Sequence, residues 1–246
     1  MTRKIGSDTL LIIPCCAAKA SGGQGLEDYS DPLAQAVSGQ AYSAMLSARA
    51  SVLRSVKLTP KFLIDKYKKN GSIHEGPDLG GESGSGRYTT ALSRYVGTLY
   101  SVDGFKSSVE KMIASEHAPQ IMILSALYGP LHPLSLIQDY NLMMSDAPAR
   151  AWATAFPPFL EEYVQRNAIT QIVLYVGTST AYFKIAKKAV ASLSSKGLIT
   201  RAVQYHVENG STRTTPLQHG LRLLDDLNGE GSLGSTRSTG IIENIL

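Results

Sequence analysis

A chain of 246 residues with 43% apolar and 18% charged side chains can build a core, which excludes global disorder. Its formal charge of +4 suits a nucleic-acid partner, and equally an ordinary enzyme with a basic surface. The two cysteines, Cys15 and Cys16, are adjacent; that excludes a disulfide framework, favours a reducing cytoplasm and leaves no metal-ligand spacing.

No apolar run reaches membrane-spanning length, so no membrane partner is expected. The start mimics a signal peptide, with Arg3 and Lys4 ahead of an apolar run, but Gly6, Ser7 and Asp8 separate charge from run and Pro14 interrupts it. Residues 9–13 therefore read as a buried strand. It leads into Pro14-Cys15-Cys16-Ala17-Ala18-Lys19 and a Gly-rich loop to Ser30. Lys19, at the mouth of that strand, can hold a phosphate as a point charge; on its position alone a solvated loop lysine is the better reading.

Asp31-Pro32 is a helix start, with Asp as N-cap and Pro at the first position, and the helix is expected to reach Val56 despite Gly39. Thr59-Pro60 opens a second helix, rich in lysine, that stops at Asn70-Gly71. Residues 76–86, GPDLGGESGSG, read as a mobile surface loop; no buried strand immediately precedes them, so they are not a P-loop. In the next segment Arg87, Tyr88, Arg94, Tyr95 and Tyr100 interleave basic and aromatic side chains. That mixture suits backbone neutralisation with base stacking, or an amphipathic helix packing its tyrosines inward. Asp103 caps a helix to about Ser115.

Residues 121–124 are a continuous apolar run, expected to be a strand covered on both faces. Gly129, Pro130 and Pro133 then break the regularity, and Tyr128, His132, Gln138, Asp139, Tyr140 and Asn141 follow. Ligands of open α/β sheets bind just past the carboxyl ends of strands. A helix over 147–166 contains Pro157-Pro158, expected to kink or divide it. Residues 171–176 form another buried strand, ending in Gly177-Thr178-Ser179, a turn whose amides suit an anion at a helix N-terminus. The full dinucleotide fingerprint is absent, so no nucleotide cofactor is expected. A last strand, 199–206, leads to a helix with His219, and a Gly/Ser/Thr-rich tail from about 229 reads as mobile.

The stretch from Leu124 to Met144 resembles the signature of the YaaA-type peroxide-stress family, roughly L-S-x-L-Y-G-x-L-x-P-L-x-L-x-Q-x-Y-x-L-x-M. Thirteen positions, from Leu124 and Ser125 through Gln138 and Tyr140 to Met144, fall in register without a gap. Further matches are Ala18-Lys19, Leu58-Thr59-Pro60, Tyr95-x-Gly97-x-x-Tyr100 and Tyr182-Phe183-Lys184. The chain departs from the family with His132 and Asn141 where Arg is usual, and Asp139 where Pro is usual. The resemblance implies DNA binding during oxidative stress, with a helix-hairpin-helix-like grip near residues 31–70, for which the hairpin glycines are missing here.

Four short strands alternating with helices imply an α/β fold: one domain, three layers, a mainly parallel sheet and helices on both faces. In layout this resembles the uracil-DNA-glycosylase superfamily. A base-flipping DNA N-glycosylase needs stacking groups, a carboxylate beside the sugar and a donor to the departing base. On that reading Asp139, His132 and His206 are the catalytic candidates. Tyr128, Tyr140, Asn141 and Gln138 hold the base, and Lys19, Arg87, Arg94 and Ser179 contact phosphate. No metal or other cofactor is called for. The alternatives are a non-catalytic DNA-binding stress protein and a nucleoside-processing enzyme. Asp139 is as well explained as a turn-capping residue before Asn141.

Overall fold

The computed structural model describes residues 5–229 and 240–246. In chain order the elements are β1 (Thr9–Pro14), α1 (Pro32–Ala36), α2 (Gly39–Leu58), β2 (Thr89–Thr90), α3 (Ala91–Arg94), α4 (Phe105–Ile113), β3 (Gln120–Ser125), β4 (Gly129–Leu131), β5 (Leu136–Ile137), α5 (Trp152–Arg166), β6 (Gln171–Leu174), α6 (Ala181–Ser195), β7 (Arg201–Val207), α7 (Thr214–Leu227) and β8 (Ile241–Ile245).

Six strands form one sheet in the order β4-β3-β1-β6-β7-β8. The inner four run parallel, and the edge strands β4 and β8 run antiparallel to their neighbours. Helices α2, α5 and α6 pack on one another, as do α4 and α7, so the sheet lies between two helical layers. Burial on both faces is why β1, β3 and β6 are largely apolar runs rather than alternating ones; β7, with Gln204 and His206, is the more polar inner strand. From β1 the chain passes first to β3 on one side and later to β6 on the other. The carboxyl ends of β1 and β6 therefore flank a topological switch point, where loops diverge and leave a crevice.

Several local expectations are corrected. The helix expected over 31–56 is two, because Val37 is extended and Ser38 caps a new start: its side chain accepts from the Ala41 amide at 3.2 Å. The second, lysine-rich helix is instead a pair of 3-10 turns, Pro60–Phe62 and Asp65–Ser72. Gly104, not Asp103, occupies the cap of α4. Helix α5 continues through Pro157 and Pro158, held by the buried Phe156, Phe159 and Leu160. The segment 76–86 is anchored by Asp78, which is fully buried. Tyr88 donates to one of its oxygens at 3.0 Å, and Tyr128 and Gln138 donate to the other at 2.8 and 3.1 Å. The expected tail lies mostly outside the described residues; beyond it the chain adds β8 to the sheet.

The signature begins as a tight hairpin, not an irregular loop. Gly129 pairs with Ser125 across β3 and β4, and Pro130 is tolerated because β4 is an edge strand. Gly129 has φ +66°, and a Cβ there would lie 2.3 Å from the ring of Trp152. That ring is itself fixed by a hydrogen bond from Nε1 to the Ala126 carbonyl at 3.1 Å. Gly129→Ala combines backbone strain with overpacking and is expected to destabilise by roughly 3 kcal/mol. Urea titration checks this; an unchanged midpoint shows that the hairpin can open away from the indole.

Candidate functional site

A cavity of about 870 Å³ opens at the switch point. Its walls come from the segment after β1 (Cys15 to Ala18), the Gly177–Thr180 turn after β6, and the end of β7 with Gln204 and His206. Gly97 and Thr98, Tyr182 on α6 and His219 on α7 complete it. Each parallel strand delivers its following loop to the same edge, which is how residues 15, 177 and 206 meet.

Thr180 caps α6 by accepting from the Phe183 amide at 3.2 Å and donating to the Gly177 carbonyl at 2.7 Å. The amides of Ala181 and Tyr182 precede the first intrahelical bond and face the loop side. His219 is buried, and its Nε2 lies 2.8 Å from the Tyr205 carbonyl. A carbonyl only accepts, so Nε2 carries the proton and Nδ1 is left as an acceptor. Burial pulls the His219 pKa down to about 4, against the opposing effect of the Tyr205 carbonyl.

Of the residues expected to act, His206 and Ser179 line this cavity. The signature residues do not. Tyr128 is fully buried between Asp78 and the Gln138 amide, and Gln138 is spent on Asp78 and on both backbone groups of His74. As placed, neither offers a face to a base. Tyr140 is equally buried; its hydroxyl lies 2.8 Å from Ser125, 2.9 Å from Tyr95 and 3.3 Å from the Cys15 sulfur. Asn141 is tied to Asn70 and Lys66. His132 sits at the far side of the hairpin, where Nδ1 accepts from the Leu134 amide at 3.1 Å and burial lowers its pKa.

Arg94 is a staple: it is buried, and its guanidinium donates to the carbonyls of Ala20, Gly22, Arg87 and Ile137. It has no surface for a phosphate in this arrangement. Arg87 is exposed. The Lys19 ammonium donates to the Cys16 carbonyl at 2.8 Å and lies 4.0 Å from the centre of the Tyr140 ring. Burial lowers its pKa, opposed by Cys15, Cys16 and Asp139. Asp139 stands outside the cavity lining, with Oδ2 bonded to Lys69 at 2.8 Å and Oδ1 buried without a partner among the described residues.

Sequence reasoning gave no role to Cys15, Tyr182 or Gln204, and placed His219 only within the segment after the last strand. The available signal was position: each lies at, or one helix beyond, the carboxyl end of a parallel strand. The described residues contain no cluster of three or more His, Cys, Asp or Glu able to hold a metal, and no helix long and apolar enough to cross a membrane.

The family model described as peroxide stress protein YaaA matches residues 12–217. The chain belongs to the YaaA peroxide-stress family. The matched span runs from β1 into α7 and so includes most of the cavity wall as well as the signature. In this YaaA-family chain the signature's buried polar residues clamp the hairpin and the 76–86 segment, while the cavity is walled mainly by residues outside it. Among curated proteins, none matches this chain.

Proposed function

We propose that this YaaA-family chain binds DNA and draws an extruded nucleotide into the cavity, where its N-glycosidic bond is hydrolysed. The observation that carries the reading is the cavity: its volume of about 870 Å³ suits a nucleotide, and it lies at the switch point of a parallel sheet. Its lining mixes apolar surface with amide, hydroxyl and imidazole groups, the mixture that holds a flipped base by packing and edge hydrogen bonds. Ser179 and the start of α6 suit a flanking phosphate, and Lys19 and the exposed Arg87, which do not line the cavity, are the further phosphate candidates. Asp139 is the candidate carboxylate on its chemistry alone, since it stands outside the cavity lining with one oxygen on Lys69 and the other buried.

A second reading, capture without cleavage, draws support from the place of Asp139 outside the lining and from its bond to Lys69. Incubation with duplexes carrying varied and damaged bases, with released base read by mass spectrometry, separates the two. Under the hydrolytic reading Asp139→Asn lowers base release at least about a hundredfold while DNA binding and thermal stability stay near the parent's. Salt-dependent binding with no base released from any duplex selects capture alone. Binding that is indifferent to salt sinks both readings, because phosphate neutralisation imposes a steep slope.

A further inference from the structure

The cavity floor holds a hydrogen-bond network that the nucleotide reading does not use. The Cys15 sulfur lies 3.0 Å from the Tyr182 hydroxyl and 3.3 Å from that of Tyr140. Behind Tyr140 stand the hydroxyls of Ser125 and Tyr95, at 2.8 and 2.9 Å. A phenol donates once and accepts twice. Tyr140 donates to Cys15, so Ser125 and Tyr95 donate to Tyr140; between Tyr182 and Cys15 either group can donate, and to a thiolate Tyr182 is the donor. Burial pushes all three phenols well up, so each keeps its proton to donate. As a thiolate the sulfur receives two O–H groups, while the Lys19 ammonium lies against the Tyr140 ring. Two hydroxyls converging on one sulfur hold it in place at the cavity wall, and the thiolate is the nucleophilic form of cysteine.

Cys16 is the internal contrast. Its sulfur donates to the Ala18 carbonyl at 3.0 Å and accepts from the Gly97 amide at 3.2 Å, and burial pushes its thiol up to about 11. Both cysteines line the cavity, but only Cys15 sits at the focus of the hydroxyls. A second observation points to a ligand there. His219 is 2% exposed, it lines the same cavity, and its Nδ1 has no partner among the described residues. A fixed acceptor calls for a ligand carrying an O–H or N–H.

We propose that Cys15 is a hydroperoxide-reactive thiol, oxidised to the sulfenic acid by a hydroperoxide admitted through the cavity. The sulfur lone pair attacks one peroxide oxygen; the S–O bond forms as the O–O bond breaks. Sulfur is oxidised by two electrons and the peroxide is reduced to water or an alcohol, with the thiol proton ending on the departing oxygen. A hydroperoxide is small enough for the cavity, brings an O–H for an acceptor such as His219 Nδ1, and fits the peroxide-stress description of the family. The proposal does not depend on a nucleotide entering the cavity.

The test uses the reduced full chain, one equivalent of hydrogen peroxide and dimedone as the sulfenic-acid trap, followed by intact and tandem mass spectrometry. One adduct is expected, on Cys15, formed faster than on free cysteine. Cys16→Ser should label as the parent does, and Cys15→Ser, whose hydroxyl can accept the same two bonds, should not label. Tyr182→Phe removes one donor and should slow labelling about tenfold, the size of one hydrogen bond to a charged group. An adduct on Cys16, undiminished labelling of Cys15→Ser, a Cys15 no faster than free cysteine, or an unchanged rate in Tyr182→Phe would each overturn the assignment. Should Cys15→Ser fail to fold, labelling of Cys16→Ser alone still decides which sulfur reacts.

Discussion

Replacing Arg49 by Met is expected to cost about 3–5 kcal/mol of stability, the usual penalty for breaking a buried ion pair from one side. Arg49 projects from α2 and is fully buried. Its Nε donates to the Tyr128 carbonyl at 2.8 Å and Nη2 to the Pro130 carbonyl at 2.9 Å. Nη1 reaches the Asp78 carbonyl at 3.0 Å and Asp31 Oδ2 at 3.3 Å. One side chain thus ties α2 to the signature hairpin, the 76–86 segment and the cap of α1. Met leaves three carbonyls and a buried carboxylate without their donor. Burial pushes the Asp31 carboxyl up, but Arg49 and the bonds from Ser135, the Leu33 amide and Tyr29 outweigh it, so the net shift is downward. For a chain of this length the loss corresponds to a fall in Tm of roughly 6–20 °C. Adding Asp31→Asn to Arg49→Met should restore part of the loss, because it removes the orphaned charge while keeping the cap. A single variant within about 1 kcal/mol of the parent, or a double variant with losses that simply add, counts against this account.

The second large effect is a dependence on pH that passes through His219. Its folded-state pKa is depressed to about 4 from an ordinary 6.5 because burial disfavours the imidazolium. The sign follows from linkage. Between those two pH values the unfolded chain binds a proton that the folded chain refuses, so stability rises with pH across the window. The contribution is fully present above pH 6.5, declines as the pH falls, and is gone below about pH 4. Its full size is about 3 kcal/mol, from 1.36 kcal/mol for each pH unit of displacement. Urea titrations at intervals from pH 7.5 to 4 measure it. His219→Gln can still donate to the Tyr205 carbonyl but cannot titrate, so its curve should be flatter by that amount. Parallel curves for the two proteins would show that the imidazole accepts its proton inside the fold.

The inner strands were legible in the sequence because a parallel sheet covered on both faces demands unbroken apolar runs. Residues 9–13, 121–124 and 171–176 have little else they can be; the fourth, 199–206, is broken by Arg201, Gln204 and His206 and is a weaker pattern. The edge strands were not legible: β4 carries Gly and Pro, and β8 carries Glu243 and Asn244, so neither shows an apolar signature. Family membership was legible too, since thirteen in-register positions of one signature are a local pattern. What those positions do was not. Tyr128, Gln138, Tyr140 and Arg94 have the chemistry of ligand contacts. They are buried against Asp78, Ser125, Cys15 and backbone carbonyls, partners up to 125 residues away in the chain. A polar side chain reads the same in sequence whether it satisfies a buried group or a ligand; only burial and partners separate the two. The sequence by itself determined the inner parallel strands, the family and which loops share their carboxyl edge. Tertiary structure alone decided that the signature is a clamp, and that the open chemistry lies around Cys15, Tyr182, His206 and His219. The physical reason is that strand order, which no local pattern encodes, sets β1 beside β6 and opens the cavity between their diverging loops.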